Sequence, residues 1–121
     1  MTAGRTPTDQ DLEQVRHQLL ALVRRPQSRT SEFTRERPTE WRPTEVINPE
    51  SCMPFTPAGA WQFIAECLEA GHRIEPMMLE QPEGKTGYVM KVLLGTKMVY
   101  IKLELGSGKV IGRSFHYSEE G

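Results

Sequence analysis

The strongest constraint on the fold is a pair of alternating segments, "GYVMKVLL" and "KMVYIKLEL", separated by Gly95 and Thr96. A two-residue connection with glycine in first position is typical of a β-hairpin, so Leu94 is expected to pair with Lys97. Strand side chains alternate between two faces, and this register therefore sorts the residues into two sets. The set predicted to face the core is Tyr88, Met90, Val92, Leu94, Val99, Ile101 and Leu103. The opposite set includes Lys91, Tyr100 and Lys102.

A second turn, Gly106-Ser107-Gly108, predicts a last strand that contains "GRSFHY". A three-residue loop with a left-handed glycine at its end would close Leu105 on Lys109. That register assigns Ile111 and Phe115 to the core, and Gly112, Ser114 and His116 to the face of Lys102. Arg113 would point towards the core unless a β-bulge turns it to the other side.

The preceding elements are an edge strand and two helices. Pro76 in "RIEPMMLEQP" has no N–H for a ladder and indicates an edge strand. One helix is predicted over about residues 9–24, after Thr8, and a second between Pro57 and Gly71. The sequence thus predicts an α+β fold in which two helices pack on a four-stranded antiparallel β-meander. The apolar stripe of the first helix could cover this sheet or dock a partner.

The connection between the helices, residues 26–55, is proline-rich and shows neither helical nor strand periodicity. We therefore divide the chain into an N-terminal helix with an extended loop, residues 1–55, and a helix with an antiparallel sheet, residues 56–121, within one compact domain. Arginine side chains surround Trp41 in this loop, at positions 29, 35, 37 and 42, but four glutamates balance them. A solvated linker and an RNA-binding strap both remain open.

Composition and net charge limit the classes of function that this chain can have. Fifteen basic and sixteen acidic side chains give a net charge of -1, so no global field attracts nucleic acid or anionic lipid. The two cysteines, Cys52 and Cys67, have no metal-binding spacing, and no metal or other cofactor is expected. The start "MTAGRTPTDQ" lacks an apolar secretion segment, and no apolar run approaches the roughly 18 residues of a membrane helix. We expect a cytoplasmic protein with no membrane partner.

The polar face of the predicted sheet carries groups suited to chemistry on an anion: Lys91, Tyr100, Lys102, Ser114 and His116, with Arg113 and Tyr117 nearby. Histidine can move a proton near neutral pH, and cations stabilise the charge that builds on phosphate oxygens. RNA supplies its own nucleophile in the 2′-hydroxyl. No carboxylate pair on this face suggests a glycosidase. The alternative is an ordinary half-exposed sheet decorated with charge.

The element order, with "VYIKLEL" and "GKVIGRSFHYS" as the last strands, resembles the small ribonuclease fold of barnase, the colicin nucleases, and the RelE- and MqsR-type bacterial toxins. The resemblance covers roughly residues 57–118. It implies an RNA-cleaving toxin in which Lys91, Lys102, Arg113 and His116 hold phosphate and transfer protons.

We therefore predict a metal-independent endoribonuclease, the toxin of a bacterial toxin-antitoxin pair. His116 is the predicted general acid or base, and Lys102 and Arg113 are predicted to stabilise the transition state. Lys91 is predicted to position RNA with Tyr100, Ser114 or Tyr117. The expected partners are RNA and an antitoxin or immunity protein, with a homodimer through the first helix as a further option. The alternative is a non-catalytic protein-binding module, or a delivered effector toxin with its immunity protein.

Overall fold

The computed structural model describes residues 8–118. Most of the N-terminal stretch that is expected to lack a secretion segment, residues 1–7, lies outside the described residues, as do residues 119–121. Between these limits the chain forms two α-helices, a mixed sheet and a small two-stranded sheet. No helix within the described part is both long and apolar enough to cross a membrane.

Both helices begin and end close to the predicted positions. Helix α1 spans Asp9–Val23, and its N-cap Thr8 forms a capping box with Asp11. Helix α2 spans Pro57–Glu69, and the Thr56 side chain accepts a hydrogen bond from the Gly59 N–H at 2.9 Å. Proline at the first helical position has no N–H to leave unpaired, and so the start of α2 costs no hydrogen bond.

The strands are β1 (Arg29–Thr30), β2 (Glu40–Trp41), β3 (Ile47–Asn48), β4 (Met53–Pro54), β5 (Glu75–Met78), β6 (Thr86–Leu94), β7 (Lys97–Leu105) and β8 (Val110–Tyr117). Strands β5 to β8 pair antiparallel in sequence order, with β5 at one edge as Pro76 predicts. Strands β1 and β2 both pair parallel to β8, which makes the main sheet six-stranded and mixed. Strands β3 and β4 form the separate small sheet.

The α+β class with two helices is confirmed, but a four-stranded antiparallel sheet is an incomplete description. The connection between the helices supplies β1 and β2, and these cover the backbone groups of β8 that would otherwise form an open edge. Each of these strands contains two residues, too few to show a two-residue period in the sequence. Pairing to β8, rather than local propensity, therefore fixes their extended backbone.

The predicted hairpin register between β6 and β7 is confirmed, because Leu94 pairs with Lys97. The core contains Met90, Val92, Val99, Ile101 and Leu103, and Tyr88 and Leu94 pack against it. The same core holds the apolar faces of both helices, including Leu19 and Val23 of α1. The stripe of α1 thus covers this protein's own core, as the first of its two interpretations proposed.

The predicted register between β7 and β8 is wrong by one residue at the turn and by two beyond it. Leu105 pairs with Val110, and a β-bulge then shifts the pairing so that Lys102 lies opposite Ser114. Two face assignments change as a result. Gly112 faces the core, where a Cβ would lie 2.5 Å from the Trp41 ring, and Ile111 pairs with Glu104 on the opposite face.

Candidate functional site

Two cross-strand rows form what we call the open face of the sheet. In the first row, Lys91 of β6 pairs with Tyr100 of β7, and Tyr100 pairs with His116 of β8. In the second row, Lys102 lies between Val89 and Ser114. Directly paired residues share a face, and adjacent strands lie about 4.8 Å apart. The shift of two residues at the bulge preserves parity, and so the sequence correctly predicts that these five polar residues share a face.

His116 is half-buried and stacks on Tyr100, with ring centroids 5.5 Å apart and planes inclined by 20°. Its Nδ1 lies 2.8 Å from the carbonyl oxygen of Tyr117, so this nitrogen is the donor when the ring is neutral. That tautomer leaves Nε2 free to accept a proton. The stacking and the hydrogen bond together hold the ring in one orientation.

Lys102 lies at the edge of a cleft of about 490 Å³, which we call the central cleft. Ser114 and Arg113 also line it, and Phe33 and Met78 stand exposed at its rim. Burial lowers the pKa of the Lys102 ammonium, and the nearby Arg113 guanidinium lowers it further. A partly desolvated cation interacts more strongly with a bound anion than a solvated one does.

Arg113 is turned to the side of the open face by the bulge but is not exposed there. Its Nη1 donates to Oε1 of Glu104 at 2.7 Å, and its Nε donates to the Pro38 carbonyl oxygen at 3.0 Å. Its Nη2 donates to the Gln81 carbonyl oxygen. Arg113 is only 5% exposed and Glu104 only 1%. All three guanidinium nitrogens are engaged, so Arg113 joins β7 and β8 to two loops instead of offering a free cation.

The Tyr117 side chain does not lie on the open face with the other candidate residues. It pairs with Val99 and packs against the core, and its hydroxyl oxygen accepts a hydrogen bond from the Ile47 N–H at 2.9 Å. Lys97 lies over its ring at 4.8 Å from the centroid. The fold therefore brings Lys91, Tyr100, Lys102, Ser114 and His116 together, places Arg113 beneath the cleft, and directs the Tyr117 side chain to the opposite face, although its carbonyl oxygen contacts His116.

The open face also carries carboxylates that the sequence patterns do not reveal. Glu40 of β2 lies opposite Ser114, and Glu75 of β5 lies opposite Val89. Burial raises the pKa of the Tyr100 phenol, and the negative charges of these two glutamates raise it further. Pairing of β2 to β8 was the missing information, because nothing in the 26–55 segment indicates where Glu40 docks.

No protein-family model, curated protein or solved structure gave a significant match to this chain. Among residues 8–118, no three His, Cys, Asp or Glu side chains are grouped so as to hold a metal ion. The chemistry of the open face is thus argued from its own residues.

Proposed function

We propose that this protein is an endoribonuclease that cleaves single-stranded RNA on the open face, using side chains alone. The observation that carries the proposal is the register that aligns Lys91, Tyr100 and His116 in one row beside Lys102 and Ser114 in the next. Proton-transfer and phosphate-binding groups thereby converge on one face of the sheet, where Lys91 is exposed, Tyr100, Lys102 and His116 are half-buried, and Ser114 is buried.

The proposed reaction uses the 2′-hydroxyl of the substrate as nucleophile. A base removes the 2′-hydroxyl proton, the 2′-oxygen bonds to phosphorus, and the bond from phosphorus to the 5′-oxygen breaks as an acid protonates that oxygen. The products are a 2′,3′-cyclic phosphate and a 5′-hydroxyl. His116 can serve as base or acid, since its Nε2 is not committed to the Tyr117 carbonyl.

A second proton-transfer group is needed, and Glu40 is the best placed carboxylate. Glu40 lies opposite Ser114, and Ser114 precedes His116 by two residues on the same face of β8. Lys102 supplies the charge that stabilises the pentacovalent phosphate, because it is the partly buried cation of the cleft. Lys91 and Tyr100 bind the neighbouring phosphate and base. Arg113 acts only by positioning the Pro38 and Gln81 segments beside the cleft.

The experiment is RNA cleavage by the purified protein in excess EDTA. We expect His116→Ala to lower the rate by about 10²- to 10⁴-fold, the usual contribution of a general acid or base. His17→Ala is the matched control, because His17 is exposed on α1 and far along the chain from the open face. Undiminished cleavage by His116→Ala would remove His116 from the reaction.

We place the activity in the toxin of a bacterial toxin-antitoxin pair, in line with the resemblance of "VYIKLEL" and "GKVIGRSFHYS" to RelE- and MqsR-type toxins. A protein antitoxin or immunity protein would inhibit it by covering the open face. The supporting test is expression without the partner, which should arrest growth. His116→Ala should restore growth at equal protein levels.

A second candidate, a non-catalytic protein-binding module, is favoured by a different observation. Large apolar side chains are exposed around the open face: Phe33 and Leu93 are 63% and 62% accessible, and Met77, which lies opposite Gly87 on that face, is 38% accessible. Such side chains are enriched at protein interfaces, and the net charge of -1 provides no general attraction to RNA. A module of this kind would bind its partner through Met77 and Leu93 and leave RNA intact.

A further inference from the structure

A second pocket lies on the open-face side of the sheet, beyond the end of the central cleft. We call it the basic pocket; it has a volume of about 330 Å³ and its cationic lining consists of Arg29, Arg37 and Lys109. Thr30 and Thr34 add hydroxyl groups to its wall. It forms where β1 pairs with the start of β8, since Thr30 lies opposite Ile111 there. Arg29 and Arg37 belong to the arginines that the sequence offers for an RNA-binding strap, whereas Lys109 comes from the distant β7–β8 turn.

The positive charge of the basic pocket is only partly neutralised. Arg37 donates from Nε to Glu104 at 3.1 Å, but Glu104 already holds Arg113 at 2.7 Å. One carboxylate therefore balances two guanidinium groups, and one positive charge is left over. Arg29 contributes less to the pocket: it lies opposite Val110 of the core face, its Nη1 donates to the Val23 carbonyl oxygen at 2.7 Å, and its guanidinium lies 5.6 Å from the centroid of the Trp61 ring.

Lys109 adds a further positive charge to the basic pocket. It is exposed at the β7–β8 turn and has no ion pair within residues 8–118. Glu32 is the one additional carboxylate in the lining, and it is exposed to solvent. The half-exposed Arg37 guanidinium, the Lys109 ammonium and the threonine hydroxyls form a donor set that suits a phosphate group.

We propose that the basic pocket binds a phosphate group of the RNA strand at a distance from the scissile bond. That the phosphate belongs to RNA rests on the proposed function, whereas the pocket's affinity for phosphate does not. The pocket, the cleft and His116 follow one another along β8, at Ile111, Ser114 and His116. At about 3.3 Å per residue this path extends roughly 16 Å, enough for several nucleotides.

Glu104 forms the boundary between the two phosphate-binding regions. Arg37 contacts it from the basic pocket and Arg113 contacts it from the central cleft. An RNA strand on this path would therefore meet Arg37 and Lys109 on one side of this paired carboxylate and Lys102 on the other. The two sites are separate enough to be altered one at a time.

The test begins with pyrophosphate as the probe, titrated into the full-length protein and followed by calorimetry. We expect binding by the wild type and roughly tenfold weaker binding by Lys109→Glu, because a charge-assisted contact becomes repulsive. Lys97→Glu is the matched control, since Lys97 is exposed at the other end of β7, and its affinity for pyrophosphate should match the wild type. Absence of pyrophosphate binding, or equal affinity in all three proteins, would overturn the phosphate site.

The second arm uses all-2′-deoxy oligonucleotides, which cannot undergo attack by a 2′-hydroxyl, in lengths of two and eight nucleotides. Lys109→Glu should weaken binding of the eight-nucleotide probe severalfold and lower its salt dependence. Binding of the two-nucleotide probe should be unchanged. Equal weakening of both lengths would contradict a distant subsite. RNA cleavage without pyrophosphate binding would reject this site alone, while pyrophosphate binding without cleavage would reject the proposed function alone.

Discussion

The Arg113 guanidinium donates to the Glu104 carboxylate at 2.7 Å, and the two side chains are sealed between β7, β8 and the loops that carry Pro38 and Gln81. This pair explains why a bulge interrupts β8. Without it, Arg113 would project into the apolar core; with it, the guanidinium finds an acceptor for each nitrogen. A residue that the sequence suggests as catalytic is therefore a connector of the fold.

Removal of either partner of this pair should strongly destabilise the protein. Arg113→Ala leaves the Glu104 carboxylate buried with only Arg37 as partner, and the expected loss is about 3–5 kcal/mol in the free energy of unfolding. Urea denaturation measures it. Arg24→Ala is the matched control, because its ion pair with Glu69 is exposed and is expected to contribute at most about 1 kcal/mol. Equal losses in the two variants would refute the connector role.

We expect Lys102 to contribute to RNA cleavage but to lower the stability of the folded protein. Burial lowers its pKa, so holding the ammonium group in the folded protein costs free energy relative to the unfolded chain. We expect Lys102→Met to be at least as stable as the wild type at pH 7 while RNA cleavage falls by about 10²-fold or more. A Lys102→Met protein that is less stable and fully active would reverse both parts of the interpretation.

The pH dependence gives a second test of Lys102. Between its lowered pKa in the folded state and the ordinary 10.5, the unfolded chain holds more protons on this residue than the folded protein does. Stability from this group therefore rises with pH across that window and is constant below it. Any stability advantage of Lys102→Met over the wild type should accordingly shrink between pH 7 and pH 10.5 in urea titrations. A stability advantage of Lys102→Met that grows with pH would contradict a lowered pKa of Lys102.

Gly112 should tolerate no side chain. An added Cβ would meet the Trp41 ring at 2.5 Å, and Trp41 lies in β2, whose pairing to β8 brings Glu40 to the open face. Gly112→Ala is expected to cost about 1–3 kcal/mol through overpacking and to displace β2. Trp fluorescence during urea denaturation reports both effects. Gly106→Ala is the control, because its Cβ would find its nearest neighbour at 3.4 Å; a similar loss there would argue against a specific Trp41 clash.

The two thiols should differ sharply in reactivity. Cys67 is buried in α2, and burial, with a smaller contribution from Glu66, raises its pKa to about 12. Cys52 is exposed. A thiol reagent at pH 8 should therefore modify one cysteine in the folded protein and two in urea, since the thiolate is the reactive form. Rapid modification of both in the folded protein would show that α2 opens readily.

Local patterns predict the elements whose causes are local. Thr8 and Thr56 predict where their helices begin, because N-capping depends on residues only three positions away. The Gly95-Thr96 turn predicts the β6–β7 register because a short turn leaves one closure available. The core face follows from that register by alternation alone.

The features that escape prediction depend on contacts between distant segments. The Leu105 closure is misjudged because the turn contains one more residue, with the Gly106 N–H bonded to the Lys109 carbonyl oxygen. The bulge turns Arg113 towards Glu104, Pro38 and Gln81, and these acceptors come together only in the folded protein. The position of Glu40 depends on a two-residue strand with no periodicity. Five of the seven predicted site residues nevertheless share one face, because a shift of two residues preserves parity: Lys91, Tyr100, Lys102, Ser114 and His116.

The most direct measurement of the central claim is the fate of matched RNA and all-2′-deoxy oligonucleotides incubated with the protein in excess EDTA. Attack by the substrate's own 2′-hydroxyl, with His116 as base or acid, predicts that the RNA alone is cut, leaving a 2′,3′-cyclic phosphate, and that His116→Ala removes this product. Intact RNA, or cleavage that His116→Ala leaves unchanged, would contradict a catalytic open face.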